Sequence, residues 1–160
     1  MMHPFKIGDR TVGPGHPCYV IAELSGNHNG DLARAVESIR AAATAGADAV
    51  KIQTYTADTM TLDLDSEDFV VPGDGPWAGR TLYDLYREAH TPWEWHAELF
   101  DAAHEAGIQI FSSPFDRSAV DLLERLGSPA YKIASFELVD DGLIDCVART
   151  GKPVIVSTGM

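Results

Sequence analysis

Basic residues are scarce in this chain: 12 lysines and arginines stand against 24 aspartates and glutamates, a formal net charge of −12 at pH 7. That balance excludes a nucleic-acid backbone or an anionic membrane surface as the main partner, because both require a positive face. An anionic ligand can then be held only where a few cations are gathered locally. Cysteine is almost absent too. The two present, Cys18 and Cys146, lie far apart, one in an expected strand and one in an expected helix. This excludes the close spacing of a zinc or dithiol motif and predicts buried free thiols. No run approaches the ~20 apolar residues of a membrane span. The opening Met1-Met2-His3-Pro4-Phe5-Lys6 has no apolar signal core, so a cytoplasmic protein is expected. Also missing is a glycine-rich phosphate loop of the G-x-G-x-x-G or Walker kind.

What is present is an ordinary globular composition, 45% hydrophobic and 22% charged over 160 residues, enough to bury a core. Within it, two lysines interrupt apolar runs of strand length: Ala49-Val50-Lys51-Ile52-Gln53-Thr54 and Ala130-Tyr131-Lys132-Ile133-Ala134-Ser135. An isolated buried charge costs several kcal/mol, a large part of a domain's stability of roughly 5–15 kcal/mol. Each ammonium can escape by reaching the surface on its flexible stem or by pairing with a carboxylate. The recurrence points instead to one anion shared between them.

Along the chain, residues 5–17 read as a small hairpin lid ahead of the main fold, which occupies 18–160. Cys18-Tyr19-Val20-Ile21-Ala22-Glu23 reads as a parallel strand buried on both faces and ending in a carboxylate. A turn-rich loop, Ser25-Gly26-Asn27-His28-Asn29-Gly30, leads into a helix over 31–45, with Asn29 or Asp31 as its N-cap. The irregular stretch 54–80 is long enough to be functional. A short helix follows over 81–89. Thr91-Pro92-Trp93-Glu94 has the form of a capping box, predicting a helix from Pro92 to Ala106 with Trp95, Leu99, Ala102, Ala103 and Ala106 inward. Strands are expected at 108–113, 130–135 and 153–157, and helices from Asp116 to Leu126 and over 141–149.

Helix end, glycine and buried strand recur at Gly46, Gly107, Gly127 and Gly151. Strands alternating with helices specify a parallel sheet with right-handed crossovers, here with five strands and four main helices. Glu23, Lys51, Gln53, Ser113, Lys132, Ser135 and Ser157 fall at or near strand C-terminal ends, the edge where such sheets place their sites. A five-stranded flavodoxin-type sheet and the first part of an α/β (β/α)8 TIM barrel both fit. The absent phosphate loop and an uncovered last strand favour the incomplete barrel.

These motifs resemble the sialic-acid synthase family. They are Ile21-Ala22-Glu23 with Asn27-His28-Asn29-Gly30, the run from Ala45 to Thr54, Ser112-Ser113-Pro114-Phe115-Asp116, Lys132-Ile133-Ala134-Ser135, and the run from Gly151 to Met160. The segments 76–86 and 91–96 look like the pseudaminic acid branch rather than the N-acetylneuraminate or legionaminate branch. The resemblance implies an enzyme that condenses phosphoenolpyruvate with a 6-deoxy-diacetamido hexose to a nonulosonic acid and releases phosphate. It also implies a C-terminal antifreeze-like domain, a homodimer at full length, and a divalent metal (Mn, Mg or Co) whose ligands lie outside this chain. Carried over by motif, Lys51, Ser113, Lys132, Ser135 and Ser157 surround phosphoenolpyruvate, Gln53 supports the pocket and Glu23 acts as acid/base. Ser113 stands where many relatives have threonine. Glu23 has a second reading as the salt-bridge partner of Lys51 or Lys132. His28 either touches the sugar or braces its loop. His90, His96 and His104 read as surface residues, and Trp77, Tyr83, Tyr86, Trp93 and Trp95 as packing or as a sugar-stacking wall. A fragment of this kind is expected to be inactive alone, and a non-catalytic half-barrel that binds anions or self-associates is the reading from another class.

Overall fold

A computed structural model of the chain describes residues 3–159. It opens with an antiparallel hairpin of β1 (Phe5–Ile7) and β2 (Arg10–Val12), with Phe5 opposite Val12. Then come β3 (Ile21–Glu23), α1 (Leu32–Thr44) and β4 (Ala49–Thr54). The segment after β4 holds α2 (Ala57–Met60), a 3-10 turn at Glu67–Phe69 and α3 (Leu82–Ala89). A further 3-10 turn, Trp93–Trp95, leads into α4 (His96–Glu105) and β5 (Gln109–Pro114). The chain continues through α5 (Arg117–Arg125), β6 (Tyr131–Ile133), a 3-10 turn at Phe136–Val139, α6 (Asp141–Arg149) and β7 (Val154–Val156).

The four repeat glycines stand at φ 89°, 76°, 74° and 68°, the left-handed conformation that closes a helix and that glycine adopts without strain. Each reversal feeds a strand. Helix starts are fixed as locally: side chains of Asp31, Thr81, Asp116 and Asp140 accept from backbone N–H groups of α1, α3, α5 and α6. The result is one five-stranded parallel sheet in the order β3-β4-β5-β6-β7. An open flavodoxin-type sheet would run 2-1-3-4-5. Strictly sequential order is the wall of a barrel, here a curled half.

Strand alternation divides the side chains between two cores. Val50, Ile52, Ile110, Tyr131 and Ile133 face outward and pack with Ile39, Leu99, Ala103, Leu123, Leu143 and Val147 of the helices. Ala49, Phe111 and Ala130 face the lumen and enclose Ile7 of the hairpin. The hairpin therefore plugs the N-terminal end of the barrel, tied there by an Arg10–Asp48 ion pair. It lies at the end opposite the strand C-termini.

Several expectations change. The first strand is three residues long and half-exposed rather than buried on both faces, because it is an edge strand with β4 as its one neighbour. Cys18 precedes it and is exposed, while Cys146 is half-buried. The capping box does not form: Pro92 is extended and the 3-10 turn intervenes before α4. The buried face of α4 is His96, Leu99, Phe100, Ala102 and Ala103. His96 is fully buried instead of on the surface. Its Nδ1–H donates to the Pro92 carbonyl at 3.1 Å, so Nε2 accepts from the Thr54 hydroxyl at 2.9 Å. Thr54 in turn lies 2.6 Å from Ser112 Oγ. This chain of polar groups ties α4 to β4 and β5, and burial pushes the His96 pKa down, keeping the ring neutral. No helix among the described residues is long and apolar enough to cross a membrane.

Candidate active site

Register decides which side chains meet. Glu23 stands beside Lys51, Lys51 beside Phe111, and Gln53 beside Ser113. Lys132 stands beside Ile155, two residues before Ser157. Alternation puts Glu23, Lys51, Gln53, Ser113, Lys132 and Ser157 on the lumen face, above the Ile7–Phe111 cluster and toward the strand C-termini. Ser135 begins the 3-10 turn beyond β6, on the same rim. Ser112, next to Ser113, faces the helices and is spent on Thr54 and the Ile52 carbonyl.

At the centre is Lys51, whose side chain is 14% exposed. Its ammonium pairs with Glu23 Oε2 and lies 3.5 Å from Ser113 Oγ. The other carboxylate oxygen of Glu23 accepts from Ser25 N at 3.2 Å and Ser25 Oγ at 3.1 Å. Ser25 reaches it through a left-handed conformation, φ 46°. Such a backbone in a non-glycine residue persists when its surroundings fix it. Here it aims two donors at one carboxylate.

Lys132 makes no ion pair among the described residues. Burial pushes its pKa down and the Lys51 charge adds to the effect, while Glu23 and Glu137 oppose it. Glu137 went unnoticed in the sequence. It lies two residues past Ser135 in the 3-10 turn, and its Oε2 is buried without a hydrogen-bond partner. Buried carboxylate oxygens are rarely left orphaned, which sets this one apart from the other acids of the rim. Two ammoniums and two carboxylates thus share one rim. A strand-end loop carrying an acid was the signal.

His28 is buried. Its Nδ1 accepts from Gly30 N at 3.1 Å, which leaves the ring proton on Nε2 to donate to Thr91 Oγ1 at 3.3 Å. Trp95 meets the ring edge-on, with centroids 5.4 Å apart. Burial and nearby His90 push its pKa down. Both ring nitrogens are committed inside the protein. Trp77, Tyr55 and Tyr86 line a separate cleft on the rim, whereas Tyr83 donates to Asp58 Oδ1 at 2.9 Å. His90 is half-buried and His104 exposed. No group of three His, Cys, Asp or Glu side chains among the described residues has the geometry to hold a metal ion. The rim gathers ammonium, carboxylate and hydroxyl groups on one face.

A sequentially ordered parallel wall with cations and carboxylates gathered at its C-terminal rim defines a half-barrel of the TIM-barrel class. Within that class the chain belongs to the NeuB family, whose model matches residues 38–160. It is 53% identical over 142 residues to a pseudaminic acid synthase of Campylobacter jejuni, covering 89% of this chain and 41% of that protein. To the pseudaminic acid synthase of Helicobacter pylori it is 52% identical over 144 residues, 90% of this chain and 42% of that one. Among solved structures, N-acetylneuraminic acid synthetase from Leptospira borgpetersenii superposes with a TM-score of 0.84 at 26% identity, over 99% of this chain and 50% of that one. The chain spans about two fifths of the length of the curated relatives it matches.

Proposed function

We propose that this chain forms the substrate-binding half of a nonulosonic acid synthase that condenses phosphoenolpyruvate with a 6-deoxy-diacetamido hexose, the pseudaminic acid reaction. The observation that carries the reading is the convergence of Lys51, Lys132, Ser113 and Glu23 on one lumen rim, in a chain otherwise strongly acidic. Phosphoenolpyruvate carries a phosphate and a carboxylate close together. Two ammoniums and a set of hydroxyls at fixed spacing match it through charge-assisted hydrogen bonds.

In this reading Lys51, Lys132, Ser113, Ser135 and Ser157 hold the two anionic groups, and Gln53 closes the wall beside Ser113. The electron pair of the C2=C3 bond forms the new carbon–carbon bond to the aldehyde of the open-chain sugar, whose oxygen takes up a proton. Water adds at C2, and the C2–O bond to phosphate breaks, leaving a ketone and inorganic phosphate. Glu23, released from Lys51 by the incoming anion, orients and deprotonates that water, while Ser25 keeps its carboxylate in place. Glu137 offers its free oxygen to a sugar hydroxyl or to the same water. His28 braces the loop that carries Asn27 and Asn29. A divalent metal that polarises the aldehyde belongs with this reading, with ligands outside the chain.

The test is product formation by the whole protein that carries this chain. Incubated with phosphoenolpyruvate and the 6-deoxy-diacetamido hexose, it should release phosphate in step with a nonulosonic acid detected by mass spectrometry. Preferential use of N-acetylmannosamine would move the assignment to the N-acetylneuraminate reaction, and no phosphate release with either sugar would end it.

A further inference from the structure

On the same rim, outside the phosphate-binding set, lies a cleft of about 450 Å³ between the β3–α1 loop and α3. Its walls are Trp77, Tyr55, Tyr86 and Leu85, with Asn27 and Asn29 across from them. We infer that this cleft is the specificity subsite for the N-acyl and deoxy-methyl end of the amino-sugar, an inference that rests on the proposed reaction.

Three relationships support it. First, the walls are preassembled. Tyr55 is 4% exposed and fixed edge-on by Tyr86 and Phe115, with centroids 5.8 and 5.4 Å away. Its carbonyl accepts from Trp93 Nε1 at 3.3 Å. Trp77 is 46% exposed yet has the Arg80 guanidinium 5.7 Å from its ring, and Arg80 is held by Glu88 at 2.7 Å. Second, the floor depends on a close approach. A Cβ on Gly26 would stand 2.9 Å from the Ala89 carbonyl oxygen, so glycine is what lets the loop seat against the end of α3. Third, the cleft is built on the loop that holds Glu23. Ser25, the residue that grips Glu23, immediately precedes Gly26 and Asn27, both of which line the cleft.

The chemistry selects the occupant. Carbon-rich aromatic walls accept methyl and acetyl groups, and stacking on such rings adds to simple burial. The two asparagine amides can donate to an acetamido carbonyl and accept from its N–H. A free ammonium in the same place would lose hydration against aromatic carbon without a dedicated carboxylate, since Glu88 is already paired with Arg80. The cleft therefore discriminates N-acylated sugars from their free-amine counterparts.

The experiment uses the whole protein, wild type and with Trp77→Ala or Asn27→Ala, both at exposed positions that leave the barrel core intact. Steady-state kinetics with varied sugar should show the sugar KM raised roughly tenfold or more, the phosphoenolpyruvate KM within twofold of wild type, and a smaller preference for the N-acetylated over the free-amine sugar. Saturation-transfer NMR on the acetyl methyl protons, which needs no turnover, should give a signal in wild type that Trp77→Ala abolishes. An unchanged sugar KM and acetyl preference in both variants, alongside normal turnover, would overturn the subsite and leave the reaction standing. Absence of acetyl saturation transfer in the wild type would overturn the subsite whatever the turnover. Loss of phosphate release in the wild type, with acetyl transfer intact, would sink the reaction and keep the cleft as an acyl-sugar site.

Discussion

Glu23 and Lys51 stand side by side on adjacent strands and form an ion pair. In the proposed reaction this carboxylate competes with the anionic substrate for Lys51, so that binding of the phosphate and release of Glu23 would be one exchange of partners.

Glu23→Gln removes the competitor and the base together. Phosphoenolpyruvate should bind more tightly, by about 1 kcal/mol or roughly fivefold, while turnover falls by about a hundredfold or more. Calorimetry on the variant, set beside its phosphate release, checks both. Weaker binding would show that Glu23 is not Lys51's competing partner.

Lys132 sets a pH limit on binding. Burial, then the Lys51 charge, lowers its pKa from the ordinary 10.5, and the anion needs the protonated form. Affinity for phosphoenolpyruvate should fall as pH rises through the depressed value, with proton uptake on binding in that window. Stability without ligand runs the other way: the unfolded chain binds more protons between the depressed value and 10.5, so stability rises with pH there. Lys132→Arg stays charged and should carry the affinity loss to higher pH. A wild-type affinity flat across the window would contradict the account.

His96 is a structural residue in this picture. His96→Ala takes the imidazole acceptor from the buried Thr54 hydroxyl, leaving it Ser112, removes one of the two donors to the Pro92 carbonyl, whose other is Trp95 N, and opens a cavity, a loss of about 3 kcal/mol readable from urea unfolding. Buried His96 and His28 both have pKa values pushed below 6.5. The unfolded chain takes up protons that the folded one refuses, so stability should decline as pH falls below about 6.5. An unfolding midpoint unchanged between pH 7 and 5 would argue against neutral buried rings.

The last strand predicts association. Val154 and Val156 are 39% and 44% exposed on the outward face of β7, an uncovered apolar edge of the kind that recruits another strand. The 160-residue chain should self-associate at high concentration by light scattering, and Val156→Lys should suppress it. Equal sizes for both proteins would remove the edge as the cause.

Much of this was legible in the sequence. The repeated glycines marked the entries of β4 to β7, Asp116 marked one helix start and Asn29 or Asp31 another, and the lysines in apolar runs marked the rim, since local chemistry decides each. Other features depended on contacts distant in the chain. His96 reads as an amphipathic helix residue until Thr54, forty-two positions earlier, meets it. Thr91 looks like a cap until His28 claims its hydroxyl. The strand before Glu23 looks buried until the sheet order makes it an edge. The hairpin looks like a lid until Ile7 is found among Ala49 and Phe111 at the far end. Glu137 has no motif of its own and is recognisable by its orphaned oxygen.

The central claim is that Lys51 and Lys132 together hold phosphoenolpyruvate, and calorimetric titration of the whole protein tests it most directly. Lys51→Ala and Lys132→Ala should each weaken binding by the roughly 1.5–3 kcal/mol of a charged hydrogen bond, at least about tenfold, with unfolding midpoints close to wild type. Wild-type affinity in both variants would contradict the account.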